Sequence, residues 1–132
     1  MAKATKSRQI SFFIPDRAGL LSEVTAAIES VKVNITAVCA YAMDNTAHFM
    51  LTTDNNAKAK KALAPLRAKI KEDDVVTVEM PNKVGELHKV AKKIADAGIY
   101  ISYMYGTTAT GKSSTCIFKT SDDKKAIRVI NK

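Results

Sequence analysis

Residues 106–113 read GTTATGKS, with Gly106 and Gly111 enclosing four residues ahead of Lys112 and Ser113. That spacing can aim backbone N–H groups and a lysine at the phosphates of a nucleotide, provided that a helix comes next. The next residues are instead STCIFKT, which alternates and is rich in β-favouring residues, so a strand is expected and the loop reads as a hairpin connection. His48 and His88 have no acid or nucleophile placed to form a catalytic set, and Cys39 and Cys116 lie far apart without a paired-ligand spacing. No catalytic group, metal site, cofactor or disulfide framework is therefore expected. Tyr103 and Tyr105 share one strand face and could stack on bases, but the basic and aromatic signature of RNA-recognition sheets is missing, so packing is the expected use.

The remaining chemistry is that of two glycine turns, PDRAGLLSEV at residues 15–24 and PNKVGELHKV at residues 81–90. A glycine between a strand and a helix permits backbone angles closed to other residues and lets a ligand approach the main chain. The helix start behind it presents N–H donors and a partial positive charge suited to a carboxylate. Asp16 can take an ammonium group, and the side-chain amide of Asn34 can donate or accept. A free amino acid combines those needs. Alternatively, Asp16 and Asn82 serve as helix caps and the glycines only as tight turns.

The elements that position these turns are legible because they occur twice. At a constant offset Ile10, Phe12 and Ile14 match Val76, Val78 and Met80, a period-two strand with one buried face. Leu21, Val24 and Ile28 match Leu87, Val90 and Ile94 as the apolar stripe of a helix. Val33, Ile35 and Ala37 match Ile99, Ile101 and Tyr103 as a second strand, and Phe49 and Leu51 match Cys116 and Phe118 as a third, after one inserted residue. Asp54-Asn55-Asn56 and Ser121-Asp122-Asp123 supply acceptors for another helix start in each copy. Pro65 should stop the first of these helices, and a short strand is expected near residues 68–71. The second copy ends before its last strand, which should leave an open sheet edge or a place for a partner.

These residues resemble the ACT domain family, in its stand-alone tandem form, over nearly all of the chain. The carriers are PDRAGLLSEVTAAIESVKVNI and PNKVGELHKVAKKIADAGIYI. The departures are Ala18 and Val84 before the glycines, Val31-Lys32 against Ala97-Gly98 after the helices, and Asn34 against Tyr100. The resemblance implies an α+β fold of two ferredoxin-like βαββαβ units packed side by side, the second lacking its last strand. It divides the chain into a basic N-terminal tail at 1–7, unit 1 at 8–72 and unit 2 at 73–132. It also implies an amino-acid-binding regulatory protein whose sites form where the turn of one unit meets a strand of another. The residues so nominated are Asp16, Arg17, Ala18, Gly19, Leu20, Asn34 and Ile35, with Asn82, Lys83, Val84, Gly85, Glu86, Tyr100 and Ile101 as the second set. Glu86, standing where the first copy has Leu20, could repel a carboxylate. The expected partners are a small amino acid, a second copy of the chain in a homodimer, and a regulated enzyme or transporter.

Composition sets the rival classes. The chain has 132 residues, 46% hydrophobic and 26% charged, enough for a core, with a formal net charge of +8. Lysines in KAKKALAPLRAKIK and DDKKAIRVINK fall at helical spacing, the pattern of a solvated helix face. The charge keeps a basic nucleic-acid-binding module as one rival, and an interaction protein with no metabolite ligand is the other. The apolar run from Ile10 to Ile14 is too short for a secretory signal, and nothing approaches membrane-spanning length, so a cytoplasmic protein is expected.

Overall fold

In the computed structural model, which describes residues 1–107 and 111–132, the chain forms two compact units. The first is Arg8–Asp73; the second joins Met1–Ser7 to Asp74–Lys132. The elements are β1 (Lys3–Pro15), α1 (Leu20–Ser30), β2 (Ile35–Met43), β3 (Thr46–Thr53), α2 (Asn56–Leu63), β4 (Lys71–Pro81), α3 (Glu86–Asp96), β5 (Ile101–Thr107), β6 (Ser113–Thr120) and α4 (Asp123–Ile130). The architecture is α+β, as the alternation of two periodicities predicts.

In the first unit β3 is the middle strand, antiparallel to both β1 and β2, with Phe12 opposite Phe49 and Phe49 opposite Ala40. The pairing puts Ile10, Phe12, Ile14, Phe49 and Leu51 on one face, where Val24 and Ile28 of α1 and Leu63 of α2 close over them. The Phe12 and Phe49 rings stack with centroids 5.0 Å apart. In the second unit β6 is the middle strand, with Val78 opposite Cys116 and Cys116 opposite Gly106. Val90, Ile94, Ala126 and Ile130 close that core. The residues matched by sequence offset in β1 and β3, and in β4 and β6, thus pack in one core in each unit, whereas Val33 and Ile99, expected as strand, come just before β2 and β5. Leu21 and Leu87 are exceptions: both are exposed, because Leu20, Val24 and Ile28 form the stripe of α1 that enters the core and Leu21 flanks it.

Side-chain acceptors begin α2 and α4. Asn55 accepts from the Lys58 N–H and Asp122 from the Lys125 N–H, each at 3.1 Å. Pro65 lies in a 3₁₀ turn, Ala64–Leu66, that comes directly after α2. No separate strand forms over residues 68–71. Instead β4 starts at Lys71 and runs through to Pro81, because its residues alternate without a turn signal, so its first three residues belong to the first unit.

Residues 1–7, expected as a basic tail, carry strand from Lys3 onward. Ala4 is 2% exposed in the second core, while Lys3 and Lys6 point outward. Asn131 clasps this segment: its side chain accepts from the Ala4 N–H at 2.7 Å and donates to the Ala4 carbonyl at 2.9 Å. The Ser7 and Thr77 hydroxyls meet at 2.7 Å. Among the described residues no strand comes after α4, and the residues that join this unit from the other end of the chain are Met1–Ser7.

Candidate ligand site

Each turn is built on a left-handed glycine. Gly19 (φ 84°, ψ 1°) caps α1 and Gly85 (φ 87°, ψ −6°) caps α3. A side chain would be strained in that conformation, so glycine is required by the backbone here and not by crowding, since a Cβ at either position would meet nothing within 4 Å. Among the described residues no side chain caps either helix. Asp16 and Asn82 are therefore not helix caps, because the turn carries each of them three residues away from the glycine that holds the cap position.

At the first turn the Asp16 N–H bonds to the Asn45 carbonyl at 2.9 Å, which fixes the turn against the β2–β3 hairpin. The Asp16 side chain, Ala18 and Gly19 are exposed. Arg17 forks onto Glu23, with Nη1 facing Oε2 and Nη2 at 3.3 Å from Oε1. Leu20 is 3% exposed, so its contribution to a ligand is confined to its backbone.

Asn34 and Ile35 lie at the other end of the same unit. The Asn34 N–H donates to Asp54 Oδ1 at 3.0 Å, and the Asp54 N–H returns a bond to the Asn34 carbonyl at 3.0 Å. Ile35 pairs with Thr53, whereas Met43, at the far end of β2, pairs with Thr46, which also faces Pro15 just before the turn. At about 3.3 Å per residue, β2 separates the two sets by roughly 26 Å. One unit alone cannot bring Asp16–Leu20 and Asn34–Ile35 onto one small ligand. Asn34 and Ile35 end an open trough of about 690 Å³ along α1, with Ser22, Thr25, Ala26, Glu29 and Lys32 on its walls.

The second turn is more crowded. The Asn82 N–H bonds to the Lys112 carbonyl at 2.9 Å and its Nδ2 to the Gly111 carbonyl at 3.0 Å, while the Lys83 N–H returns to the Pro81 carbonyl. Val84 is fully exposed. Asn82, Lys83, Glu86 and Leu87 from the turn, with Gly106, Thr107, Ser114 and Cys116 from the β5–β6 hairpin, line a cavity of about 250 Å³. Glu86 Oε2 is 2.9 Å from Lys89 Nζ. That pairing, reinforced by Lys83 and the N-terminal amine, holds the carboxyl below the usual carboxylate range. Tyr100 and Ile101 sit at the opposite end, where the Tyr100 N–H donates to the Ser121 hydroxyl, its carbonyl accepts from the Ser121 N–H, and its ring is left exposed.

Several lining residues were not foreseen. Glu23 and Lys89 complete ion pairs with nominated residues, and Gly106, Thr107, Ser114 and Cys116 arrive through strand register. The repeat offset carried a signal for the first pair, since Lys89 stands at the position of Glu23. Gly106 has no side chain for a physical reason: a Cβ there would lie 2.5 Å from Cys116 Sγ. Burial pushes the Cys116 thiol up, away from reactivity. Ser113 opens β6 directly, so no helix comes after the GTTATGKS loop, whose residues 108–110 lie outside the described residues. His48 stacks on Tyr41 with centroids 4.9 Å apart, and His88 is exposed on α3. Among the described residues no His, Cys, Asp and Glu side chains gather to hold a metal ion, and no helix is long and apolar enough to cross a membrane.

A family model described as an ACT domain pair matches residues 5–132. The chain belongs to the ACT domain pair family. This ACT pair is similar in structure to protein BT0572 from Bacteroides thetaiotaomicron, at 27% identity and a TM-score of 0.88, covering 97% of this chain and 88% of that one. It is also similar to the ligand-free regulatory subunit of aspartate kinase from Thermus thermophilus, at 16% identity and a TM-score of 0.71, covering 95% and 91%. A third likeness, to aspartokinase alpha and beta subunits, has 18% identity and a TM-score of 0.70, covering 98% and 95%. At those identities the two kinase likenesses concern the fold. A search of curated protein sequences found no match.

Proposed function

We propose that this ACT pair is a non-catalytic, cytoplasmic regulatory module that binds a free amino acid and passes its presence to a regulated enzyme or transporter. The observation that carries the reading is the first turn: a left-handed Gly19 opens α1 with no side-chain cap, and the exposed Asp16 carboxylate stands three residues away. The helix-start amides suit the ligand carboxylate and Asp16 suits its ammonium. Asn34 and Ile35 cannot join that turn within one unit, so the ligand is held between the turn of one chain and the strand start of a second copy, in a homodimer. Binding then favours the arrangement of units that holds it, and the partner senses that arrangement. The regulatory likenesses support this reading, and the free cysteines Cys39 and Cys116 fit a reducing compartment.

The test is a melting screen of the full chain against the twenty amino acids and a single-stranded oligonucleotide. A ligand at about 100 times its dissociation constant stabilises by about 2.7 kcal/mol. Asp16→Ala should abolish that gain without lowering the melting temperature of the free protein. Stabilisation by the oligonucleotide alone, disappearing as salt rises, would favour the nucleic-acid rival instead. No response to either probe would leave the interaction protein.

A further inference from the structure

Lys89, Lys92 and Lys93 follow one another along α3 at i, i+3 and i+4, so neighbouring rows of the helix surface carry all three. With Val90, which is 1% exposed, and with Met1 and Ala2 from the other end of the chain, they line a cavity of about 590 Å³ in the second unit. That volume lies within the roughly 300–1,000 Å³ of small-molecule sites. The fold does not require these lysines, because the first unit builds the matching helix with Glu23, Ala26 and Ala27 in their places.

Cations outnumber acids on the cavity wall. Lys89 pairs with Glu86 and Lys92 with Asp96, each at 2.9 Å. Both lysine side chains are more than 60% exposed, and exposed pairs hold their partners weakly, so either ammonium can turn to an incoming anion. Lys93 bonds to the main-chain oxygens of Ile130 and Lys132, at 3.1 and 3.0 Å, and has no acidic side-chain partner among the described residues. We infer that this cavity is a binding site for a small organic phosphate, its head held by the three lysines and its apolar body lying against Met1, Ala2 and Val90. A phosphate monoester brings about −1.5 to −2 charges near neutral pH and three strong acceptor oxygens. A carboxylate brings one charge and would leave more of the wall's positive charge unmatched. Lysine meets a phosphate as a mobile point charge, without the fixed fork that favours a planar carboxylate.

The experiment is an amide-resolved NMR titration of the full chain with phenyl phosphate, benzoate and inorganic phosphate. Phenyl phosphate should shift the amides of residues 89–93 saturably, and the other two should bind at least about ten-fold more weakly, one lacking the dianion and the other the body. Lys92→Ala with Lys93→Ala installs the residues of the first unit and should weaken phenyl phosphate at least about ten-fold. Lys92→Glu, at an exposed position clear of the Lys93 bonds, should weaken it as far should the double variant fail to fold. Lys58→Ala with Lys61→Ala removes the same charge from exposed positions of α2 and should change nothing. No saturable shift at α3, benzoate or inorganic phosphate binding as tightly as phenyl phosphate, or equal losses from the two double variants would each overturn the inference. So would a single-stranded oligonucleotide that shifts these amides where phenyl phosphate does not, since the lysines would then serve a nucleic-acid backbone. The amino-acid reading is separate and is followed at the amides of Leu20, Leu21 and Ser22, so either can fail without the other.

Discussion

The first turn stands open and the second is furnished by its own chain. Their glycines agree closely in torsion, 84° and 87°, yet Arg17 reaches forward to Glu23 in one while Lys89 reaches back to Glu86 in the other. Duplication has preserved what the backbone requires and let go of what only side chains decide. The same contrast runs through the rest of the units, and it can be broken at chosen positions.

The largest effect should come where the units differ by a single Cβ. Gly106 pairs with Cys116, and an added Cβ would lie 2.5 Å from Cys116 Sγ and 2.9 Å from the Thr115 carbonyl. Its counterpart in the first unit is Ala40, which is exposed beside Phe49. Gly106→Ala should therefore destabilise by about 2–3 kcal/mol in urea unfolding. Ala40→Gly should lose under about 1 kcal/mol. Equal losses would mean that the second unit relaxes freely around β5, and that its cavity is not shaped by the missing side chain.

Next is the clasp on the N-terminal strand. Asn131 satisfies both backbone groups of Ala4, and the position that matches it in the first unit is Ala64, which has no such side chain. Asn131→Ala removes two hydrogen bonds and should destabilise by about 2 kcal/mol. Hydrogen exchange at the Ala4 amide should speed up while amides in β3 keep their protection. Unchanged exchange at Ala4 would show that core packing alone holds the segment.

These two positions also mark the limit of what the sequence could disclose. The repeat, the alternation in β1 and β4, and the caps at Asn55 and Asp122 were readable because each is a local pattern with a fixed period or offset. The role of residues 1–7 was not, because nothing nearby explains why Ala4 is buried; the side chain that clasps it, Asn131, is 127 residues away. For the candidate site, both turns and their glycines were legible, since the left-handed conformation needs that residue. That Asn34 stands at the far end of the unit from Gly19 is a consequence of strand register. That Glu86 turns to Lys89 and does not enter the core as Leu20 does reflects the lack of an apolar refuge for a charge.

A smaller effect separates the two helix ends. Lys32 and Gly98 both come after their helices in the left-handed region, at φ 59° and 71°, and both helices close with the same paired bonds, Val33 to Ile28 and Ile99 to Ile94. Lys32 bears the steric penalty that Gly98 avoids. Lys32→Gly should stabilise by about 0.5–1 kcal/mol, and Gly98→Ala should destabilise by about 1 kcal/mol. A midpoint that falls for Lys32→Gly and rises for Gly98→Ala would show that unfolded-chain entropy outweighs strain at this position.

The smallest effect should be electrostatic and confined to the first unit. Glu72 receives Lys60 at 2.7 Å, Asn56 at 3.3 Å and Arg8 at 3.5 Å, tying the start of β4 to α2 and β1. The bond to Lys60 leads the causes that hold its carboxyl below the usual carboxylate range. A carboxyl lowered in the folded state contributes its stability above the unfolded chain's value of about 4.3. That contribution is lost as the pH falls through the folded value. Glu72→Gln should therefore lower stability near neutral pH by under about 1 kcal/mol and flatten its decline below about pH 4. In the second unit Glu86→Gln serves as the comparison. Its carboxyl is also lowered, but it ties no strand to a helix, and it should change the acid limb while leaving exchange in β4 alone. A Glu72→Gln protein whose acid limb is as steep as the parent's would show that the cluster holds the strand by shape and not by charge.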